Sequence, residues 1–363
     1  MINSDRGVAD FRSAARPQIR KLDQKIVSEG NALQMKTYQL TGPRKLEAAE
    51  APDPDVADGQ VLLEIEHVSI CGSDTHLRYE PVFAEEQYPF TPGMPCHEIA
   101  GTIVESKNPA YAVGQRAIVL TDRGEGGEIS SGGLAEYIST SRVIPLPDYG
   151  GTDEWLMCQP SGTVLYSARR WGTTDDKRIA VLGQGAIGLS FTMIAANQGA
   201  QEIIGIDLED YRLEKSSEFG ATATINADKE DVVAAIAEAT GGKGVDVVVD
   251  ASGDADGINQ AVNLVNAQGL VIGFSLVETG TNPTVFRHQE WMRKEVQVIP
   301  TGSAGSEDAT SCIADMVALR DRGWMDPSRL TTHTHSWDQI PEAYDMYADR
   351  ADGIIKTVIS IKG

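Results

Sequence analysis

Two short segments of the chain, CGSDTH at 71–76 and CHE at 96–98, carry side chains that can hold a metal ion. They offer the thiolate of Cys71, the imidazole of His97 and the carboxylate of Glu98. Zinc binds these ligand types, and a catalytic zinc takes three protein ligands while a fourth position stays open. The alternative is structural, because a cysteine after an apolar strand is usually a core residue and His97 can be a hydrogen-bonded polar side chain. Together with the nucleotide-binding pattern described next, the two segments predict a metal site.

A glycine-rich segment, RIAVLGQGAIG at 178–188, predicts a strand, a tight turn and a helix. Gly183, Gly185 and Gly188 have the spacing of a dinucleotide-binding turn, where they allow the turn, the approach of a pyrophosphate and close packing of helix on strand. The helix N-terminus offers N–H groups to the phosphates. Asp207 ends the next apolar run, 24 residues after Gly183, where an acidic side chain meets the ribose hydroxyls of NAD. A glycine-rich turn without a ligand is the alternative.

The segments before and after this turn differ in their apolar pattern. From Lys36 to about Pro147 the apolar segments are short and punctuated by Gly and Pro, which predicts a small, partly closed β-domain. From about Thr163, six apolar strands alternate with helical segments, which predicts a doubly wound parallel sheet with its ligand crevice at the carboxyl ends of the strands. From about Glu307 we expect helices and a closing strand, IIKTVIS, that returns to the first domain. The predicted divisions are an N-terminal extension at 1–34, a catalytic domain at 35–162 and 307–363, and a dinucleotide-binding domain at 163–306.

The overall composition excludes several classes of protein. The 363 residues include 53 acidic and 31 basic side chains, a net charge of −22, which argues against a nucleic-acid partner because phosphate binding needs clustered Lys and Arg. No apolar run reaches the roughly 18 residues of a membrane span, and the N-terminus has no apolar signal core. Four cysteines without a secretion signal favour reduced thiols or metal ligands over disulfides. We therefore expect a soluble, cytoplasmic protein.

Six motifs are specific in combination, although each is short: HVSICGSDTH, the CHE motif, GQRAIVL, LGQGAIGL, DVVVDASG and the terminal GIIKTVI. Together they resemble the zinc-dependent medium-chain dehydrogenase/reductase family, which includes alcohol and polyol dehydrogenases. The resemblance extends from about Met35 to the C-terminus. It implies an α/β fold, with a Rossmann-type doubly wound parallel sheet plus a GroES-like β-rich catalytic domain. It also implies an enzyme that transfers a hydride between an alcohol and NAD with one catalytic zinc.

By this resemblance Cys71 and His97 are zinc ligands, and Glu98 is a near or alternating ligand. Asp74 resembles the carboxylate that orients the histidine ligand and sets its tautomer. The remaining ligand in the family is a Cys or Glu, and the matching position here is Gln159, whose amide oxygen is a weaker zinc ligand. We therefore expect the zinc site to depend on Glu98 or water as well.

Further departures from the family concern cysteines. Cys158, one residue before Gln159, is the other candidate for the remaining ligand. Cys96 stands where the family has a glycine, and it either competes as a ligand or fills space. Many family members carry four closely spaced cysteines for a structural zinc, whereas LTDRGEGGEISSGGLAEYI at 120–138 contains none. We therefore predict no structural zinc.

The resemblance also implies how the substrate proton is handled. Ser73 matches the hydroxyl that hydrogen-bonds the substrate alcohol, and His76 matches the histidine that some members use to pass the proton to solvent. An imidazole with an ordinary pKa suits this work, although an exposed histidine without a role is the alternative for His76. The hydride of the alcohol would move to the nicotinamide ring.

Cofactor-binding positions follow from the same resemblance. They are Thr163, Gly183, Gly185, Ala186, Ile187, Gly188, Asp207, Arg212, Ser252, Phe274 and Lys356, with Val249 and Thr301 also at strand ends near the nicotinamide. Thr163 is expected near the nicotinamide and Lys356 near the phosphates. Asp207 and the acidic Glu209 repel the 2′-phosphate of NADP, and Arg212 is the only cation close by in sequence, so NAD is the expected cofactor.

Two other functions stay open at this point. One is a zinc-free, NADPH-dependent enone or quinone reductase of the same superfamily, against which the metal-ligand types and Asp207 argue. The other is a non-catalytic dinucleotide-binding regulator, for which the weak ligand Gln159 is the best argument. If the protein is an enzyme, we expect a polyol, sugar or secondary alcohol as its substrate. By analogy with the family we also expect a homo-oligomer, either a dimer or a tetramer.

Overall fold

The computed structural model describes residues 34–81, 83–122, 131–276, 285–302 and 308–362. Residues 1–33 of the predicted N-terminal extension, and the predicted boundary at 306/307, lie outside this described part. Residues 34–363 belong to one compact unit. No helix in the described ranges is long and apolar enough to cross a membrane.

The first region of the chain builds short antiparallel strands, as its punctuated apolar segments predict. The strands are β1 Gln34–Gly42, β2 Lys45–Pro52, β3 Val61–Ser69, β4 Glu98–Ser106, β5 Arg116–Leu120, β6 Tyr137–Thr140 and β7 Arg142–Pro145. β1 and β2 form a two-stranded hairpin, and β3 to β7 belong to a larger sheet. In β3 the alternating Val61, Leu63 and Ile65 are fully buried, as expected of a strand with one face on the core.

The end of the chain completes this larger sheet. β14 Thr331–Ser336 and β15 Lys356–Ser360 extend it in the order β14-β15-β3-β4-β5-β7, and β6 also pairs with β3. β15 is antiparallel to β3, so the expected return of the closing strand is confirmed. β14 has no signal in the sequence, because TTHTHS lacks apolar alternation and the strand depends on pairing with β15.

A six-stranded parallel sheet forms the second region. Its strands are β8 Arg178–Leu182, β9 Glu202–Asp207, β10 Ala223–Asn226, β11 Val245–Asp250, β12 Val265–Gly273 and β13 Gln297–Pro300. Their order is β10-β9-β8-β11-β12-β13, and every neighbouring pair is parallel. Val247, Val248 and Val249 of β11 are all buried, as in strands covered on both faces. The predicted doubly wound sheet is confirmed.

Helices cover and connect the strands. They are α1 Gly72–Asp74, α2 Thr152–Leu156, α3 Cys158–Ala168, α4 Ala186–Asn197, α5 Asp210–Glu218, α6 Val232–Thr240, α7 Gly257–Leu264, α8 His288–Lys294, α9 Ala309–Asp321 and α10 Ile340–Ala348. A π-helical turn, Thr75–Tyr79, follows α1 directly. The strand order of the parallel sheet reverses between β8 and β11, and the crevice for a dinucleotide opens at the carboxyl ends of these strands.

One apolar cluster extends across both sheets. It includes Ile118 of β5, Val181 of β8 and Ile313 of α9. α3 packs closely on α9, since a Cβ at Gly162 would lie 2.6 Å from the Cα of Ile313. The two sheets therefore share a core, while the predicted domain boundary at 162/163 stays a prediction.

The three glycines of the turn after β8 set how closely α4 packs on that strand. Gly183 has a φ of +83°, and a Cβ there would lie 2.6 Å from the carbonyl oxygen of Ala251. A Cβ at Gly188 would lie 1.7 Å from the carbonyl oxygen of Gly183. A Cβ at Gly185 would meet only the side chain of Arg212, at 3.3 Å. Packing therefore requires the first and third glycines, and the second leaves the backbone open to a ligand.

We expect the substitution Gly188→Ala to lower the free energy of unfolding by about 1–3 kcal/mol, because the new methyl group overlaps a backbone carbonyl that cannot move freely. Urea unfolding measures this loss. Gly42→Ala is the matched control, since the nearest atom to its new Cβ is the Lys45 Cβ at 3.9 Å, and we expect a change within about 0.5 kcal/mol. Equal stability of the two variants would contradict the packing argument.

Candidate active site

The strongest group of potential metal ligands lies where β3 ends and β4 begins. The Cys71 sulfur, a ring nitrogen of His97 and a carboxylate oxygen of Glu98 all lie within 4.8 Å of one another. β3 and β4 are antiparallel neighbours in which Ser69 pairs with Glu98, so the segment after β3 meets the start of β4. Within the described ranges, this is the group that brings three such side chains together. It contains the three ligand types that zinc takes.

The buried carboxylate of Asp74 orients two members of this group, His97 and Cys71. Asp74 is fully buried, and its Oδ1 lies 2.6 Å from Nδ1 of His97. Its Oδ2 accepts a hydrogen bond of 3.0 Å from the backbone N–H of Cys71. Because an ionised carboxylate only accepts, Nδ1 of His97 must carry the proton, and Nε2 keeps the lone pair that a metal needs. One side chain thus positions both proposed ligands.

The pKa of His97 reflects the same contacts. Burial alone would lower this pKa, but the charge and hydrogen bond of Asp74, followed by the hydrogen bond and charge of Cys71, raise it well above its ordinary value. The charges of Asp74 and Cys71 therefore favour a positive charge at the His97 ring. A divalent cation suits this position because it can bind both the Cys71 sulfur and the ring nitrogen that keeps its lone pair.

Besides lying near Cys71 and His97, the Glu98 carboxylate contacts Lys356 of β15. The Lys356 ammonium lies 2.6 and 2.7 Å from the two Glu98 oxygens, and it donates a third hydrogen bond of 2.7 Å to the carbonyl oxygen of Ile70. Both side chains are almost completely buried. Burial alone would lower the pKa of Lys356, but the Glu98 charge raises it above its ordinary value. The ring of Tyr347 lies 6.0 Å from the ammonium.

The structure therefore gives Lys356 a different partner from the one that the family resemblance implies. An ammonium group has three N–H donors, and the two oxygens of Glu98 and the carbonyl of Ile70 use all three. In this arrangement none is left for a cofactor phosphate. The physical reason is burial, because a carboxylate with no exposure to water needs a cation beside it.

The candidates for the remaining ligand differ in their surroundings. Gln159 is buried in the first turn of α3. Cys158 belongs to the apolar core, and burial raises the pKa of its thiol to about 12. Cys96 is also in the core, where burial raises its pKa well above the ordinary value and its thiol donates to the carbonyl of Ser69 at 3.4 Å. Protonated thiols are poor metal ligands, so these surroundings favour the space-filling alternative for Cys96, and Gln159 stays a candidate for the remaining ligand.

The two residues assigned to proton handling lie in the helical segment after Cys71. Ser73 is in α1 and His76 is in the π-helical turn, and both are half-buried. The turn has the wide hydrogen bond of a π-helix, 3.0 Å from the N–H of Glu80 to the carbonyl of Thr75. Short π-helical turns are rare and occur frequently at functional sites.

On the cofactor side, Asp207 lies against the glycine-rich turn. Its Oδ2 accepts a hydrogen bond of 2.6 Å from the backbone N–H of Gln184. Its Oδ1 accepts from the N–H groups of Leu208 and Glu209 at 2.8 and 3.1 Å. These bonds hold the carboxylate at the end of β9, beside the turn where a ribose would bind.

Arg212 and the first residues of α4 lie at the same turn. Gly185 is the N-cap of α4, and Ala186 and Ile187 are its first helical residues, so their N–H groups face the end at which a helix attracts phosphate. Nη1 of Arg212 lies 3.3 Å from the position of a Cβ on Gly185, and its Nε donates to the hydroxyl of Tyr211 at 2.8 Å. The structure thus brings a cation to the turn.

Of the remaining predicted positions, Thr163 lies in the middle of α3, and Ser252 and Phe274 follow the carboxyl ends of β11 and β12. Thr163 donates a 2.7 Å hydrogen bond to a carbonyl one turn earlier in α3. Ser252 donates to Oδ1 of Asp250 at 2.7 Å, and Phe274 packs edge-on against Phe191 with ring centroids 5.5 Å apart. Asp250 was not predicted as a site residue. Its Oδ1 accepts hydrogen bonds from the backbone and hydroxyl of Ser252 and from the hydroxyl of Ser275, and these bonds hold the segment after β11 against the end of β12. The position of Asp250 at the end of the apolar run VVVD is the signal that could have found it.

Two family models match this chain. The alcohol dehydrogenase GroES-like domain matches residues 57–148, and the zinc-binding dehydrogenase domain matches residues 186–319. The two matches together cover more than half of the chain. The first match contains β3 to β7 of the antiparallel sheet, and the second contains β9 to β13 of the parallel sheet.

Individual relatives agree with these models. The chain is 26% identical to an alcohol dehydrogenase of Cupriavidus necator, over 90% of this chain and 98% of the relative. It is 29% identical to the (R,R)-butanediol dehydrogenase of Bacillus subtilis, over 68% of this chain and 79% of the relative. A zinc-binding dehydrogenase of Sinorhizobium meliloti, solved with NADP bound, has the same fold with a TM-score of 0.79 at 23% identity, covering 91% of this chain and 100% of that one.

A parallel dinucleotide-type sheet joined to a GroES-like β-region, with a Cys, His and Glu group between them, defines an oxidoreductase of the zinc-type alcohol and polyol dehydrogenase class. The chain belongs to the zinc-dependent medium-chain dehydrogenase/reductase family. The predicted family, fold class and class of reaction are thereby confirmed.

We expect Lys356→Met to lower the free energy of unfolding by about 3–5 kcal/mol, because it leaves the buried Glu98 carboxylate without its cation. Urea unfolding of the EDTA-treated protein measures this loss. The double variant Glu98→Gln/Lys356→Met is the control and should regain part of the stability. A single variant as stable as the unmodified protein would contradict the role of the pair.

Proposed function

We propose that this protein oxidises a secondary alcohol or polyol to a carbonyl compound with NAD, at a zinc site that Cys71 and His97 hold and to which Glu98 contributes. The observation that carries the proposal is the convergence of these three ligand atoms within 4.8 Å, with Asp74 fixing the proton of His97 on Nδ1. A catalytic zinc needs such a set together with an open position.

The ligand chemistry fits zinc, which when bound would act as a Lewis acid on the substrate oxygen. The contribution of the chain is mainly placement. Asp74 holds the His97 ring and the Cys71 backbone in one arrangement, and Gln159 is the candidate for a neutral third ligand. Ser73 Oγ would accept the hydrogen bond of the substrate hydroxyl.

Proton and hydride then leave the substrate in different directions. His76, half-buried in the π-helical turn, would pass the proton from Ser73 to solvent. The hydride would pass to a nicotinamide ring near Thr163 of α3 and Phe274, which follows the carboxyl end of β12. The core shared by the two sheets supports a fixed distance between these groups.

Several observations support NAD as the cofactor. Three backbone N–H groups hold the Asp207 carboxylate at the position of the adenosine ribose, where a 2′-phosphate would meet its negative charge. Arg212 is the opposing consideration, because its guanidinium lies at the same turn. Its Nε is already engaged, since it donates to the hydroxyl of Tyr211.

The substrate class and assembly are further parts of the proposal. A neutral third ligand and the two named relatives, an alcohol dehydrogenase and a butanediol dehydrogenase, favour secondary alcohols, polyols and sugars. β13 forms an edge of the parallel sheet and is largely exposed, and such an edge favours pairing with a second copy. We therefore propose a dimer or tetramer. Four free cysteines fit a reducing, cytoplasmic location.

The central experiment is NAD reduction with a panel of secondary alcohols, polyols and sugars, together with zinc analysis. We expect activity with members of this panel and one zinc per chain. Cys71→Ala should lose zinc and nearly all activity but retain NADH binding, because the metal side and the cofactor side are separate. Cys158→Ala is the matched control and should retain zinc, since that thiol lies in the core. Undiminished activity in Cys71→Ala would remove zinc from the mechanism.

We expect kcat/KM with NAD to exceed that with NADP by at least about tenfold, and Asp207→Ser to reduce this preference because it removes the charge that repels the 2′-phosphate. Steady-state kinetics with both cofactors measures the ratio. Asp175→Ser, an exposed carboxylate before β8, is the matched control and should leave the ratio unchanged. Comparable efficiency with NADP in the unmodified protein would overturn the choice of NAD.

A further inference from the structure

The π-helical turn Thr75–Tyr79 carries His76 and continues directly from the segment that contains Cys71 and Asp74. A π-helical turn includes one more residue per hydrogen-bonded ring than an α-helix, and it persists where its surroundings hold it. The beginning of the segment is held by Asp74, through its bonds to His97 and to the Cys71 backbone. What holds the other end of the turn decides where His76 lies.

Tyr79 anchors this other end through three contacts. Its side chain is 1% exposed, and its ring packs against that of Tyr344 with centroids 5.2 Å apart. Its hydroxyl donates a 2.9 Å hydrogen bond to Oδ1 of Asp345. Its carbonyl oxygen accepts a 2.7 Å hydrogen bond from the N–H of Arg44. Main chain and side chain are thus both fixed at the last residue of the turn.

The partners of Tyr79 are themselves tied together. The Arg44 guanidinium lies 3.3 Å from Oδ1 of Asp345 and 2.7 Å from Oδ1 of Asp349. Arg44 lies in the turn of the β1–β2 hairpin, whereas both carboxylates belong to α10 or its end. Two segments some 300 residues apart in sequence therefore meet at the end of the π-helical turn.

The Tyr79 hydroxyl acts as a donor over the whole working pH range. Burial, followed by the hydrogen bond and charge of Asp345, raises the pKa of Tyr79 above its ordinary value. The hydroxyl therefore keeps the proton that it donates to Asp345.

We propose that Tyr79 and Asp345 are positioning residues, which hold the π-helical turn so that His76 keeps its place relative to Cys71. This inference rests on the proposed dehydrogenase function. Without the hydroxyl anchor, the turn can relax toward α-helical hydrogen bonding, which rotates His76 about the helix axis relative to the metal-ligand end. Transfer of the substrate proton then slows, while the ligands of the metal stay in place because Asp74 still holds them.

The test compares Tyr79→Phe and Asp345→Ala, each of which removes one partner of the hydroxyl hydrogen bond, with a matched control, Tyr111→Phe. Tyr111 packs on the same apolar cluster, and its hydroxyl donates to the carbonyl of Val143 at 3.3 Å, away from the turn. For each protein we would measure kcat, KM and their pH profiles, zinc content, NADH binding and thermal unfolding. Hydrogen–deuterium exchange of the backbone at residues 72–80 reports on the turn independently of activity.

We expect Tyr79→Phe and Asp345→Ala each to lower kcat roughly tenfold to a hundredfold, the loss that a misplacement of about 1 Å produces. The pH profile of kcat should shift, zinc content and NADH binding should match those of Tyr111→Phe, and exchange at residues 72–80 should be faster. The double variant should be no worse than the worse single variant, because both act through one hydrogen bond.

Three results would overturn the inference: unchanged exchange at residues 72–80, a kcat within twofold of the unmodified enzyme, or equal losses in Tyr111→Phe. Failure of the proposed function has a different signature. An unmodified protein that oxidises no alcohol on the panel would contradict the dehydrogenase proposal, while the exchange measurement would still decide whether Tyr79 and Asp345 hold the turn.

Discussion

A buried ion pair between Glu98 and Lys356 is the interaction on which the metal side of this protein depends. It joins the first residue of β4 to the first residue of β15, 258 positions later in the chain. Two charges without access to water are costly unless they are paired and hydrogen-bonded. This requirement favours the return of the last strand to the antiparallel sheet, because only there does the ammonium reach both the carboxylate and the carbonyl of Ile70. The closing strand thus completes the site as well as the sheet.

The two halves of the site are built by different local means. On the metal side, the antiparallel pairing of β3 and β4 brings two segments together, and a single carboxylate, Asp74, orients them. On the cofactor side, α4 packs so closely on the end of β8 that a side chain at Gly183 or Gly188 would overlap backbone atoms. The turn between strand and helix therefore presents backbone groups. The shared apolar core connects the halves. The proposed hydride transfer needs this combination, since its two reactants would be held by different sheets.

Much of this architecture could be predicted because its signals are local. The strands of the parallel sheet each contain a short apolar run, such as IAVL in β8 and VVV in β11. Gly183, Gly185 and Gly188 have the spacing that a tight turn between strand and helix requires. β2 and β14 could not be predicted, since KLEAAEAP and TTHTHS are polar segments whose conformation depends on a neighbouring strand. The π-helical turn is likewise invisible in THLRY, because contacts from the β1–β2 hairpin and from α10 maintain it.

The sequence by itself determined which chemical groups are available and which turn can accept a dinucleotide, because side-chain identity and glycine spacing are properties of the chain alone. Only the tertiary structure decided how these groups are used. Cys71 meets His97 and Glu98, whereas Cys96 and Cys158 lie in apolar cores where burial keeps their thiols protonated. The Lys356 ammonium pairs with the Glu98 carboxylate, whereas the family resemblance implied that it would bind a cofactor phosphate. Distance and desolvation separate these roles, and both arise when segments far apart in sequence pack together.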